Sequence, residues 1–171
     1  MKDENIKIWM TKFLFIFLTS FTVSTYGQEH NIYHIKFDYY HAMRIPNHHV
    51  SVEFLRYGDS ISVHLLSEPM KALDNKWNHT KIDTTFNLAK SDFDKIVTAV
   101  KQVNCVDITN GMDVIGLDGS TCELIYGGMS TGVSYKVPSP DSDTEKRNLN
   151  DFMFACKAIL HTVELDPKEI F

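Results

Sequence analysis

Eight histidines, three cysteines and several closely spaced carboxylates are the side chains of this chain that could do chemistry, and their spacing decides which chemistry is open to them. His30 and His34 stand four residues apart in an alternating stretch. At about 3.3 Å per strand residue they would lie roughly 13 Å apart, too far to share an ion bonded at about 2.1 Å. His41, His48 and His49 fall in polar sequence around Pro46 and Asn47, without an H-E-x-x-H or C-x-x-C spacing beside them, and read as exposed loop histidines. Asp141, Asp143 and Glu145 copy the opening of a calcium loop. Lys146 stands where that loop needs Gly, and Phe152 where it needs a bidentate Glu, so an acidic helix start is the expectation instead.

Nucleophilic catalysis finds no better footing. There is no G-x-S-x-G, and Ser120, after Asp118-Gly119, opens a strand where an activated serine needs a strand-to-helix elbow. Asp113 and Asp118 could in principle act as an acid–base pair on a glycan. No aromatic platform adjoins them, which leaves solvated loop acids as the plainer reading. Recognition is what remains. The segment Leu66 to His79 sets Met70, Leu73 and Trp77 among Asp74, Asn75, Lys76 and Asn78, the mixture of anchor and polar rim found in partner-binding loops. Trp77 is the expected anchor. If the irregular segment Ile108 to Gly119 leaves the sheet at the same end, Asp113 and Asp118 would offer negative charge to a basic partner beside Met70, Asp74 and Trp77.

The elements that would position these residues are legible as periodicities. His30 to Tyr39 alternates, with Tyr33, Ile35, Phe37 and Tyr39 on one face and His34, Lys36 and Asp38 on the other, which predicts a half-buried strand. Val50, Val52, Phe54 and Ile61, Val63, Leu65 flank Gly58-Asp59 as a hairpin. A strand through Ile82, Thr84, Phe86 and Leu88 follows. Ser91 is placed to cap a helix striped by Phe93, Ile96, Val97, Val100 and Val103. Cys122, Leu124, Tyr126 and Val133, Tyr135, Val137 make a second hairpin around Gly127-Gly128. From about Thr144 a longer helix carries Leu149, Phe152, Met153, Cys156, Ile159, Leu160 and Val163, ending before Pro167. The order predicts an α+β fold: an antiparallel sheet of five to six strands with two helices packed on one face. Ser51-Val52-Glu53-Phe54-Leu55 and Thr121-Cys122-Glu123-Leu124-Ile125 hint at two related ββα halves. Such a core stands without metal or cofactor, so none is expected.

Address and charge narrow the field further. Lys7 and Lys12 precede the apolar run Phe13 to Val23, and Thr25-Tyr26-Gly27 supplies small residues for cleavage, the pattern of an export signal over residues 1–27 ahead of a single domain, 28–171. The run is about half the ~20 residues a membrane-spanning helix needs, so a cleaved leader and no membrane insertion of the product are expected. The chain holds 17 Lys and Arg against 22 Asp and Glu, net −5, with the bases scattered. That balance disfavours nucleic acid and fits small molecules, glycans or a basic protein. In an oxidising compartment three cysteines cannot all pair within one chain. Cys122 and Cys156, both on apolar faces, are the expected neighbours, either bridged or as reduced core thiols.

Gly116 to Leu124, then Tyr135-Lys136-Val137-Pro138-Ser139-Pro140 and the helix from Leu149 to Leu160, resemble small exported proteins of Gram-negative bacteria, some of the periplasmic immunity-protein type that bind and block a secreted antibacterial toxin. The resemblance spans about a third of the chain and implies a protein-binding role, with no functional residue carried over. The expectation is thus a periplasmic or secreted inhibitor of a toxin rather than an enzyme, the alternative being a small envelope enzyme or glycan-binding module.

Overall fold

In the computed structural model, which describes residues 32–70, 79–105, 108 and 119–171, the alternating stretches become strands β1 (His34–His41), β2 (His49–Tyr57), β3 (Ser60–Glu68), β4 (Ile82–Leu88), β5 (Ser120–Gly127) and β6 (Gly132–Pro138). Helix α1 (Lys90–Gln102) lies between β4 and β5, and α2 (Asn150–Thr162) and the short α3 (Pro167–Ile170) follow β6. The six strands form one sheet in the order β4-β3-β2-β1-β5-β6, every neighbour antiparallel. The fold is α+β, and residues Asn31–Phe171 make one compact unit. The two hairpins expected from sequence, β2–β3 and β5–β6, lie on either side of β1. Their equivalence stops there, because β4 intervenes before α1 whereas β6 leads directly to α2.

Period-two alternation sorts every strand into a covered and an open face. Ile35, Phe37 and Tyr39 of β1 are buried, and the register sets Phe37 between Val52 and Leu124 at the middle of the sheet. Phe93, Ile96 and Val100 of α1 and Phe152, Cys156, Ile159 and Leu160 of α2 bury their stripes in the same core. Phe171 closes it by meeting the Tyr39 ring edge-on at 5.3 Å. Glycine is required at two turns. Gly58 takes φ +63° between Tyr57 and Ser60, as the first position of a type II′ hairpin demands. At Gly127 a Cβ would stand 2.2 Å from the Thr131 carbonyl oxygen, so no larger residue fits the β5–β6 connection.

Two expectations need correction. Ser91 does not cap α1: the cap is Ala89, without a side-chain bond, and Ser91 falls inside the first turn, where Asp92 complements the dipole. The second helix begins at Asn150, not near Thr144, because residues 139–148 form turns with Ser139, Asp143 and Asn148 at positive φ. Asp141, Asp143 and Glu145 therefore precede the helix, and Asp151 is the acid in its first turn. Those turns are held by Arg147. It is fully buried, and its guanidinium donates to the carbonyls of Pro138 (2.6 Å), Ser142 (3.1 Å) and Ser139. The long helix ends at Thr162, before Pro167 as expected, and from Pro167 the chain makes a separate helical turn capped by Asp166, whose side chain accepts from Lys168 N at 2.9 Å. Among the described residues no helix is long and apolar enough to cross a membrane, and residues 1–27, expected to be a cleaved leader, lie outside them.

Candidate functional site

Both helices pack on the Phe37 face of the sheet, so the opposite face is where side chains meet solvent. Alternation puts His34, Lys36, Asp38 and Tyr40 of β1 there, with His49 and Glu53 of β2, His64 and Glu68 of β3, Asp83 of β4, Glu123 of β5 and Lys136 of β6. Cross-strand partners on one face sit about 5 Å apart at Cβ, close enough for opposite charges to bind one another. They do so in a continuous chain across four strands. Lys36 pairs with Asp38 at 3.0 Å, His49 Nε2 lies 2.7 Å from Asp38 and its Nδ1 3.6 Å from Glu68. Lys81 reaches both Glu68 and Asp83 at 3.1 Å, and His64 Nε2 meets Asp83 at 3.0 Å. Beside this chain His34 Nε2 meets Glu53 at 2.8 Å. An ionised carboxylate only accepts, so each ring N–H donates.

The charge settles accordingly. Lys81, and after it His49, holds the Glu68 carboxyl below the usual carboxylate range. His64, then Lys81, does the same for Asp83, while Asp83 and then Glu68 push the Lys81 ammonium upward. These groups stay solvent-exposed, so the network fixes side-chain positions more than it stabilises the fold. The histidine expectation needs amending: His49 is not in a loop but opens β2, and His48 packs edge-on against Tyr40 with ring centres 4.5 Å apart. Among the described residues none of the His34, His49 and His64 rings bonds a serine, threonine or cysteine, the arrangement a nucleophile would need. Nor does any group of three or more His, Cys, Asp or Glu there stand ready to hold a metal ion.

Where β1, β5 and β6 meet, the open face dips into a hollow of about 300 Å³ lined by Asp38, Tyr40, Thr121, Glu123 and Lys136. Asp38 and Glu123 are direct cross-strand partners, and Lys136 stands opposite Glu123. Glu123 accepts from Ser134 Oγ at 2.8 Å. Tyr40 is 46% exposed at the lip. A second hollow, of about 320 Å³, lies on the helix side between Leu65, Thr84, Phe86 and the end of α2 at Thr162, Val163 and Glu164. It carries a single acid, so the first hollow has the richer chemistry.

The first hollow also lies near one end of the sheet, where Tyr40 and Thr121 close β1 and open β5. The end of β1 at His41, the start of β2 at His49, the end of β3 at Glu68 and the starts of β4 and β5 form one rim of the sheet. Gly119 is tied to this rim by the bond from Ala42 N to its carbonyl, 3.1 Å. Hence Met70, half-buried two residues past β3, and Gly119, which follows Asp118, attach at the same end. Three strand spacings, about 14 Å, separate β3 from β5. The chain thus leaves β3 and enters β5 at the same rim. Asp74, Trp77, Asp113 and Asp118 themselves lie outside the described residues. Sequence reasoning passed over Asp38, Tyr40, Glu123 and Lys136 as site residues. The signal for them was the polar phase of the strands, read only as the solvent side.

No protein-family model and no curated protein sequence matches the chain.

Proposed function

We propose that this is an exported protein-binding inhibitor of the immunity type, which blocks a secreted antibacterial toxin with the rim of its sheet and the adjoining open face. The observation that supports the reading is that the first irregular segment leaves β3 and returns to β4, and the second enters β5 through Gly119, at the rim where the Tyr40 hollow opens. Five carboxylates on the open face against Lys36, Lys136 and the adjoining Lys81 favour a basic partner, and paired side chains present that charge with little ordering left to lose on binding. Tyr40, exposed at the lip, and Trp77, from the segment after Met70, are the aromatic anchors.

A growth test decides it. If a candidate toxin is encoded beside this gene, that protein, directed to the periplasm, should kill cells unless the full chain is co-expressed with its leader. Purified toxin should bind the mature protein. Trp77→Ala should weaken that capture by about 2 kcal/mol or more, and Tyr40→Ala by a comparable step. No protection and no capture would sink the reading. Asp38 and Glu123 side by side over a hollow also favour a second one, a glycan-binding module or small envelope enzyme. Binding or turnover of envelope glycan fragments, lost in Asp38→Asn and Glu123→Gln, would replace the inhibitor with it.

A further inference from the structure

Cys122 and Cys156 are 34 residues apart in the chain and meet in the core. Their Sγ atoms are 3.7 Å apart and both side chains are fully buried. Cys122 faces inward from β5, with Tyr39 and Val137 as cross-strand neighbours, and Cys156 projects from the buried stripe of α2. Both are free thiols here; a disulfide joins sulfurs at about 2.0 Å, so closure asks them to approach by about 1.7 Å. We infer that Cys122 and Cys156 are the partners of a disulfide formed as the chain folds, a covalent tie between β5 and α2 in which the exposed Cys105 takes no part.

The timing follows from burial. The attacking species is the thiolate, and burial, with the neighbouring Cys156 thiol, pushes the Cys122 thiol well up. Once α2 lies on β5 the pair is shielded and unreactive, so oxidation belongs to the stage before that docking. The oxidant is a disulfide, that of a thiol–disulfide oxidoreductase or of oxidised glutathione. One cysteine thiolate attacks it and releases the first thiol. The second cysteine thiolate then attacks the mixed disulfide and releases the other. Two protons leave the cysteines, and two electrons reduce the oxidant to its two thiols. The new bond closes a long loop and restricts the denatured chain more than the folded one.

Refolding tests the pairing without reference to compartment. Reduced, denatured full chain would be refolded in glutathione redox buffer, alkylated, digested without reductant and analysed by mass. The expected product is the Cys122 peptide joined to the Cys156 peptide, lighter by two hydrogens, together with a urea midpoint that falls when reductant is added. Cys105→Ser should keep the bridge and Cys122→Ala should lose it; if Cys122→Ala does not fold, wild type and Cys105→Ser still decide. Alkylation of both Cys122 and Cys156 after oxidative refolding, or a bridge that includes Cys105, would overturn the inference. A bridge made in the tube and missing from protein recovered from cells counts against export, not against the pairing.

Discussion

The two faces of this sheet are built from alternate residues of the same strands, yet they do different work. Phe37 and Lys36 are neighbours on β1. Phe37 is fully buried under the helices, and Lys36 points the other way into the ion-pair chain at about one-third exposure. The covered face is held by area and shape, which water cannot screen. The open face is held by charges that water and salt weaken. The comparison teaches that stability and recognition can be assigned to opposite sides of one strand, so that one can change without the other.

That separation is broken most directly at β1. Phe37→Ala removes a ring packed between Val52 and Leu124, and the unfolding free energy should fall by about 3–5 kcal/mol in urea titrations. Lys36→Ala removes a one-third-exposed partner of Asp38 and should cost about 1 kcal/mol or less. Similar losses for the two would show that the open face carries the fold as well, and the contrast would collapse.

Arg147 sharpens the comparison, since it is a charged group on the buried side. Its work is geometric: one guanidinium satisfies carbonyls of the turn from Pro138 to Ser142, which must bend sharply to send the chain into α2. Arg147→Met keeps the volume and removes the donors to the Pro138 and Ser142 carbonyls, while Ser139 O keeps its bond from Ser142 N, a loss of about 1–3 kcal/mol by the same titration. Arg147→Lys should recover only part of it, because an ammonium lacks the planar fork that reaches several oxygens at once.

How much of this could be read from the sequence divides along similar lines. The alternation of β2 and β3 around Gly58-Asp59 and the stripe from Phe93 to Val100 are local, and local periodicity marks both elements and which side they bury. Pairing of β1 with β5 is not local. More than eighty residues separate Asp38 from Glu123, and nothing in either stretch announces the other, so the hollow between them was invisible. The histidines were misjudged for a related reason. His49 looked like loop sequence beside Asn47 and His48, and only its register opposite Tyr40 and Glu68 makes it a strand residue with two acidic neighbours. Ser91 misled because a good capping residue lay two positions inside a helix that begins without one.

The smallest effect expected is a titration, and it follows from the signs of three shifts. Glu68 and Asp83 are held below their usual range in the folded protein. Their contribution to stability is therefore complete above the pH where free carboxylates titrate, about pH 4, and is lost as pH falls through their lowered values. Lys81 is shifted upward, so its contribution is complete below the ordinary lysine value and is lost as pH rises through the raised one. Lys81 is the first cause of the Glu68 shift and the second of the Asp83 shift, behind His64. Lys81→Met should thus flatten the acid limb of the urea midpoint only in part and remove its share of the alkaline limb altogether. His64→Gln should act on the acid limb through Asp83. All three groups are exposed, so molar salt should erase these differences while leaving the Phe37→Ala loss in place. An acid limb that ignores both substitutions and salt would mean that the open face is not electrically coupled across β2, β3 and β4, and the ordered charge invoked for partner binding would lose its basis.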